Sequence, residues 1–223
     1  MHRVMKWIGV AVIAVVALGV WAYWSAGKPP GWYAPPMIDD LAADRASRVE
    51  LGCMATFQKI RPAQETWTLR LTEDGINLWL SARLREWATN HFGHPWPVAM
   101  GPPQVLLEEG ALQIGVRTRD GWVPSLTIHP VVTDGSVYFH ISGGSIGQFS
   151  APGLATVLAA LTRNLMPSTG NTAALFDGRG FPAVVTLIDG RRVEILDIDA
   201  QKGQVILNAR TLPAHEKAGG GEG

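Results

Sequence analysis

The chain has 223 residues and a mass of 24.0 kDa, which suffices for one domain with a good core plus an appendage but not for two full domains. Hydrophobic residues make up 47% and charged residues 17%, a composition that excludes a disordered protein and whose apolar excess a membrane segment would explain. Residues 29–223 hold 16 basic and 19 acidic side chains, which excludes a basic nucleic-acid-binding surface, and the single Cys53 excludes an internal disulfide and a cysteine-based zinc site.

The N-terminal segment, residues 1–27, is predicted to be a transmembrane anchor. The 18 residues from Trp7 to Trp24 carry no charge, and as a helix they would span about 27 Å, close to the hydrocarbon thickness of roughly 30 Å. Arg3 and Lys6 precede this run, which predicts a cytoplasmic N-terminus and an extracytoplasmic C-terminal domain on the inner membrane. The aromatic residues predicted to hold the helix at the membrane surfaces are Trp7, Trp21, Tyr23 and Trp24.

A cleaved signal peptide is the alternative, since Val20 and Ala22 are small residues near a suitable cleavage position. A lipoprotein is excluded because Cys53 lies far beyond the apolar run. Residues 28–36 hold four prolines, and they predict a stiff linker that lifts the domain off the bilayer.

The predicted domain comprises residues 37–213. Its first half shows a helical periodicity, then the alternation of a strand, then a second helical periodicity. A stripe at steps of three and four predicts a helix over residues 39–59, on which Cys53 is a small buried hydrophobe rather than a reactive thiol. Alternation predicts a strand over residues 66–71, and Thr72 is the predicted N-cap of a helix that ends near Gly93.

The second half of the domain predicts an antiparallel meander followed by a helix and three more strands. Three acidic-Gly pairs break residues 104–142 into strands, residues 152–166 form an amphipathic helix, and residues 183–210 form the last strands. Residues 171–180 are predicted to be a loop, and the Gly-rich tail, 214–223, is predicted to be disordered. The fold class is therefore α+β, with amphipathic helices packed on an antiparallel, curved sheet.

The sequence contains only weak candidates for catalytic residues. Ser145 lies in a G-x-S-x-G pattern, but the helix that a nucleophile elbow needs does not follow it, so a glycine-rich turn is the better interpretation. His91 and His94 straddle a helix end without a third metal ligand nearby in sequence. His129 and His140 are predicted to face solvent from the polar sides of their strands. No phosphate-loop or dinucleotide fingerprint occurs, so we predict no cofactor, no metal and no enzymatic activity.

Three segments resemble a known family. The segment Leu71–Leu80 (LTEDGINLWL) resembles the start of the YpmS-like single-pass envelope proteins. Pro130–Val137 (PVVTDGSV), followed by Gly147–Pro152 (GQFSAP) and a leucine-rich helix, is similar to their second half. The resemblance covers residues 1–165 and implies a helix-plus-sheet domain like that of tubular lipid-binding (TULIP-like) proteins, without an established activity.

The leading functional prediction is a membrane-anchored envelope protein that binds a lipid or another hydrophobic ligand near the bilayer. The alternative is an assembly subunit that docks on a larger membrane protein complex, and an esterase using Ser145 comes third. The apolar faces predicted to enclose the ligand carry Trp79, Leu84, Trp87, Leu154, Leu158 and Leu161.

Overall fold

The computed structural model describes residues 2–92, 95–165, 178–187 and 189–213. Side chains are described for these residues except 2–12, 91, 92 and 162–165. The predicted tail 214–223 and the predicted loop up to residue 177 lie outside the described residues.

Within these stretches the chain forms five helices and ten strands. The helices are α1 (His2–Gly27), α2 (Ala42–Gln58), α3 (Glu73–Ala82), α4 (Leu84–Phe92) and α5 (Leu154–Leu165). The strands are β1 (Thr66–Thr72), β2 (Met100–Glu108), β3 (Ala111–Thr118), β4 (Pro124–Thr133), β5 (Ser136–Ile146), β6 (Phe149–Ser150), β7 (Phe181–Pro182), β8 (Val184–Thr186), β9 (Arg192–Gln201) and β10 (Gln204–Leu212). Every described strand pair is antiparallel, and helices combined with antiparallel strands confirm the predicted α+β class, although the strands form two sheets instead of the single predicted sheet.

The strands form two sheets that meet at their hairpins. Sheet A has the order β1-β10-β9-β8, and sheet B has the order β2-β3-β4-β5-β6 with β7 beside β5. The Gly110 N–H donates to the Ala200 carbonyl over 2.8 Å, and the Gly203 N–H donates to the Leu107 carbonyl over 3.2 Å. The glycine in each hairpin turn is therefore bonded to a strand of the other hairpin, which fixes one sheet against the other.

Helix α2 covers one face of sheet A and forms the clearest core cluster. Trp67, Leu69, Val193 and Ala209 are buried there, with Cys53 and Phe57 of α2 packed against them. The ring of Phe57 meets that of Trp67 edge-on at 5.3 Å. The predicted apolar stripe of α2 is thus confirmed, and Cys53 packs as a hydrophobe.

Two predicted elements take a different form in the structure. The single helix predicted from residue 73 to Gly93 breaks at Arg83 into α3 and α4, and this bend brings the rings of Trp79 and Trp87 to 5.9 Å, edge to face. The predicted glycine-rich turn around Ser145 is mostly strand, because β5 runs to Ile146. The turn itself begins only at Gly147, whose φ is +57°.

Residues 28–36 pack against sheet B instead of standing free as a spacer. Tyr33 is only 6% exposed. Its hydroxyl donates to the Pro102 carbonyl over 2.9 Å and accepts from the Arg117 N–H over 3.0 Å. Burial raises the pKa of Tyr33, an effect that these contacts with Arg117 partly oppose. Among the residues whose side chains are described, no helix is both long enough and apolar enough to cross a membrane.

Candidate functional site

A groove runs between helix α2 and strand β1. It has a volume of about 520 Å³, within the range of ligand sites in proteins, and it is open to solvent along its length. Polar and apolar groups share its walls. Its lining residues are Arg48, Val49, Gly52, Cys53, Thr56, Thr68, Leu69, Arg70, Leu71, Thr72 and Gly75.

Strand β1 presents an unpaired edge to this groove. It lies at the end of sheet A and pairs only with β10 among the described strands. The Thr211 N–H donates to the Glu65 carbonyl, and the Glu73 N–H donates to the Gly203 carbonyl, so odd-numbered residues bond toward β10. Because antiparallel bonding alternates, the N–H and carbonyl groups of Thr66, Thr68 and Arg70 point away from β10, whereas Thr72 is the N-cap of α3. These groups are available to another strand.

The groove is electropositive. Arg48 of α2 and Arg70 of β1 are both exposed, and within the described part of the chain neither guanidinium has a hydrogen-bond or ion-pair partner. The described lining includes no Asp or Glu to neutralise them. Burial raises the pKa of the Cys53 thiol, with the Glu50 carboxylate adding to the effect, so the thiol stays protonated at neutral pH.

Gly52 lines the groove on the helix side and is exposed. A Cβ atom built on Gly52 would meet no atom within 4 Å, so the space beside this turn of α2 is empty. Glycine in the middle of a helix costs about 0.5–1 kcal/mol relative to alanine. Sequence periodicity marked Val49 and Cys53 on this side of α2, but it gave no sign that Gly52, Arg48 and Arg70 would share a groove.

The corresponding edge of sheet B is closed by side chains of α3. The Asn77 amide bonds both backbone groups of Val105, accepting from its N–H over 2.7 Å and donating to its carbonyl over 2.8 Å. The Glu73 carboxylate accepts from the Leu107 N–H over 2.7 Å. Together these two side chains occupy the hydrogen-bonding positions that a further strand beside β2 would use.

The six residues predicted to line a lipid cavity lie on separate helices. Trp79 packs edge-on against Trp87, and its indole N–H donates to Glu50 over 3.1 Å. On α5, Leu158 is 7% exposed whereas Leu161 is 52% exposed. Helix α3 packs on α2 and β2, while α5 packs on β4 and β5. Leu84 and Leu154 complete the predicted set. None of its six residues lines the groove, and none lines the apolar hollow on α1. A lipid bound among these six residues therefore stays a prediction.

Ser145 lies beside another serine rather than beside a histidine. Its Oγ is 2.6 Å from the Oγ of Ser125, a buried residue. His129 is partly exposed, and its ring bonds the Gly110 carbonyl and the Ser142 hydroxyl, each over 2.8 Å. The structure therefore brings no described histidine to Ser145.

Among the described residues, no group of three or more His, Cys, Asp or Glu could hold a metal ion. The side chains of His91 and His94 lie outside the described residues.

Three of the four predicted anchor residues lie near the end of α1. Trp21, Tyr23 and Trp24 are each more than 60% exposed, and the side chain of Trp7 lies outside the described residues. Ala17, Val20, Trp21 and Trp24 line an apolar hollow of about 430 Å³ on this helix.

Comparisons with protein-family models, with curated proteins and with solved structures found no match to this chain.

Proposed function

We propose that this protein is a membrane-anchored docking protein that takes an extended, acidic segment of a partner chain as an added strand beside β1. One observation carries the proposal: the β1 edge is open along the groove, whereas the β2 edge is closed by Asn77 and Glu73. Open strand edges invite aggregation, and proteins normally blunt them. A protein that closes one edge and leaves the other beside a cavity has an edge suited to binding.

Strand addition fits the dimensions of this site. The seven residues of β1 extend over about 23 Å at ~3.3 Å per residue, so an added strand of similar length would bond the three outward-facing residues Thr66, Thr68 and Arg70. Main-chain hydrogen bonds would supply affinity, and side-chain pockets would supply selectivity. Here α2 forms the outer wall of the groove, so the added strand would be covered rather than fully exposed.

Charge favours an acidic occupant. An extended segment with carboxylates would bring partners to Arg48 and Arg70, and guanidinium–carboxylate hydrogen bonds are among the strongest in proteins. A basic segment would instead place like charges together in the groove. Acidic side chains at alternate positions of the partner would suit this arrangement, since alternate residues of a strand share a face.

The membrane-anchor part of the proposal is supported by the sequence and by the surface of α1. The uncharged run from Trp7 to Trp24 follows two basic residues, which favours a cytoplasmic N-terminus and a domain outside the inner membrane. Ile13, Val15 and Leu18 are each more than 60% exposed. Such a continuous apolar surface is unusual facing water and ordinary facing lipid.

A filled groove is the sharpest test, because Gly52 can be enlarged without a clash. We expect Gly52→Leu to occupy the groove and weaken binding of a fluorescent peptide of alternating Val and Glu by at least about 10-fold, or ~1.4 kcal/mol. Gly52→Ala is the matched control, since both changes favour the helix but the methyl group leaves the groove open. Fluorescence polarisation with the full chain in nanodiscs measures both.

Charge reversal tests the occupant. Arg48→Glu combined with Arg70→Glu is expected to shift preference from the Val–Glu peptide to a Val–Lys peptide. Equal binding of both peptides by the wild-type chain, or no effect of Gly52→Leu, would contradict the docking site. Stoichiometric phospholipid in organic extracts of detergent-free protein, with no peptide binding, would favour the lipid-ligand prediction instead.

A further inference from the structure

The end of α1 is fastened to sheet B at the β5–β6 turn. The Gln148 N–H donates to the Ser25 carbonyl over 3.0 Å, and the Gln148 side-chain amide donates to the Pro29 carbonyl over 3.3 Å. Gly147 allows this approach, since a Cβ atom there would overlap the carbonyl oxygens of Ala26 and Lys28. The domain therefore has a fixed orientation relative to the helix end.

Two domain aromatics lie level with the aromatic residues of α1. The rings of Trp21 and Phe149 meet edge-on at 6.3 Å, and those of Tyr23 and Trp122 meet edge-on at 5.8 Å. Phe149 begins β6, and Trp122 lies in the β3–β4 loop. Aromatic rings with one polar edge concentrate at the membrane–water interface, where Trp21 and Tyr23 are expected to lie.

Basic side chains lie just after α1, near the end of β3 and in the β3–β4 loop. Lys28 lies 4.9 Å above the ring of Trp24, and Arg117 lies 5.8 Å from the ring of Tyr33. Arg119 is exposed at the start of the β3–β4 loop, next to the single acidic residue of that loop, Asp120. Basic groups beside an anionic membrane surface would attract the phosphates of the lipid headgroups.

We propose that Trp122 and Phe149 enter the interfacial layer of the membrane that α1 crosses, so that the β3–β4 loop and the β5–β6 turn lie against anionic lipid headgroups. This proposal rests on the membrane anchor of the proposed function. The opposite possibility is that the two aromatic pairs only join the helix to the domain. In that case the loop stands in water.

Depth measurements distinguish these arrangements. The full chain, in a Cys53→Ser background, is placed in nanodiscs of equal parts phosphatidylcholine and phosphatidylglycerol. A nitroxide is attached in turn at Asp120→Cys, Val131→Cys and Val16→Cys. Asp120 is an exposed loop residue beside Trp122, Val131 is an exposed residue of β4, and Val16 is an exposed residue of α1. Accessibility to oxygen and to a nickel chelate then gives the depth of each label.

We expect the Val16 label at acyl-chain depth, the Asp120 label at headgroup depth and the Val131 label in water. Adding Trp122→Ala and Phe149→Ala should move the Asp120 label outward. An Asp120 label as accessible to nickel as the Val131 label, with Val16 still in the bilayer, would overturn the proposal and leave the anchor intact. A Val16 label in water would overturn the anchor itself, and the interfacial contact with it.

Discussion

The edges of the two sheets are treated in opposite ways by the same domain. At β2 the Asn77 amide reproduces the two hydrogen bonds of a neighbouring strand, and Glu73 accepts a third. At β1 the outward-facing groups of Thr68 and Arg70 meet only the groove. Since the chain uses side chains to close an edge where closure is needed, exposure of β1 is not a general feature of the fold. Under the proposed function, this difference leaves β1 as the edge available to a partner strand.

Proline substitutions on β1 should give the largest contrast. Leu69→Pro removes an N–H that points toward β10 together with a buried side chain, so the free energy of unfolding should fall by at least about 3 kcal/mol. Thr68→Pro removes an N–H that faces the groove, and should cost about 1 kcal/mol or less because proline is tolerated on edge strands. Urea unfolding measures both. Equal losses would mean that β1 has no free edge.

Opening the closed edge should also be costly. Asn77→Ala leaves the N–H and carbonyl of Val105, a residue only 8% exposed, without partners, and we expect unfolding free energy to drop by about 2–3 kcal/mol. Light scattering should rise at the same time because β2 becomes a second open edge. Asn90→Ala on the exposed side of α4 is the control, and should change stability by less than about 0.5 kcal/mol. A comparable loss in both would contradict the role of Asn77.

A third side chain, that of Tyr33, satisfies backbone groups of sheet B at the register shift between Met100 and Pro103. There the Tyr33 hydroxyl satisfies Pro102 and Arg117, so Tyr33→Phe should cost about 1–2 kcal/mol at neutral pH. The pKa of Tyr33 is higher in the folded state than in the unfolded state. The contribution of Tyr33 to the free energy of unfolding is therefore fully present below pH ~10, and it is lost as the pH rises through the pKa of the folded state. The stability difference between wild type and Tyr33→Phe should therefore shrink at alkaline pH. A constant difference from neutral to alkaline pH would refute this account.

The smallest effect is expected at Glu73, where the contact with Leu107 is charge-assisted. Glu73→Gln keeps an acceptor but loses the charge, and should lower the free energy of unfolding by less than about 1 kcal/mol. Asp74→Asn is the matched control, because both carboxylates lie in the first turn of α3 and interact similarly with the helix dipole. The contribution of the Glu73–Leu107 hydrogen bond is the amount by which Glu73→Gln lowers the free energy of unfolding more than Asp74→Asn does. If the two variants are equal, Glu73 acts through the dipole alone.

Local signals predicted much of this fold because their causes are local. The turns at Gly110 and Gly135 have φ values of +70° and +68°, conformations that favour glycine and that acidic-Gly pairs announce in sequence. Thr72 accepts from the Gly75 N–H over 3.2 Å, as the predicted N-cap should. Such features need only a few consecutive residues.

The functional surfaces depend on partners far apart in sequence, and periodicity does not name them. Alternation in residues 66–71 predicts which side of β1 is buried, but not that β10 is its neighbour or that its other edge is free. Asn77 is visible in sequence as a polar residue in an apolar frame, yet its bonds to Val105 require the packing of α3 on β2. The groove likewise exists only once α2 lies on sheet A.

The pairing of β1 with β10 also governs when the domain can fold. The Trp67 indole donates to the Thr211 hydroxyl over 3.3 Å, joining residues 144 positions apart in the chain. Contacts of such long sequence separation slow folding, because the intervening chain must be ordered before they form. As the chain emerges during synthesis, β1 must wait for residues 204–212, with both of its edges unpaired and exposed to aggregation or to a chaperone.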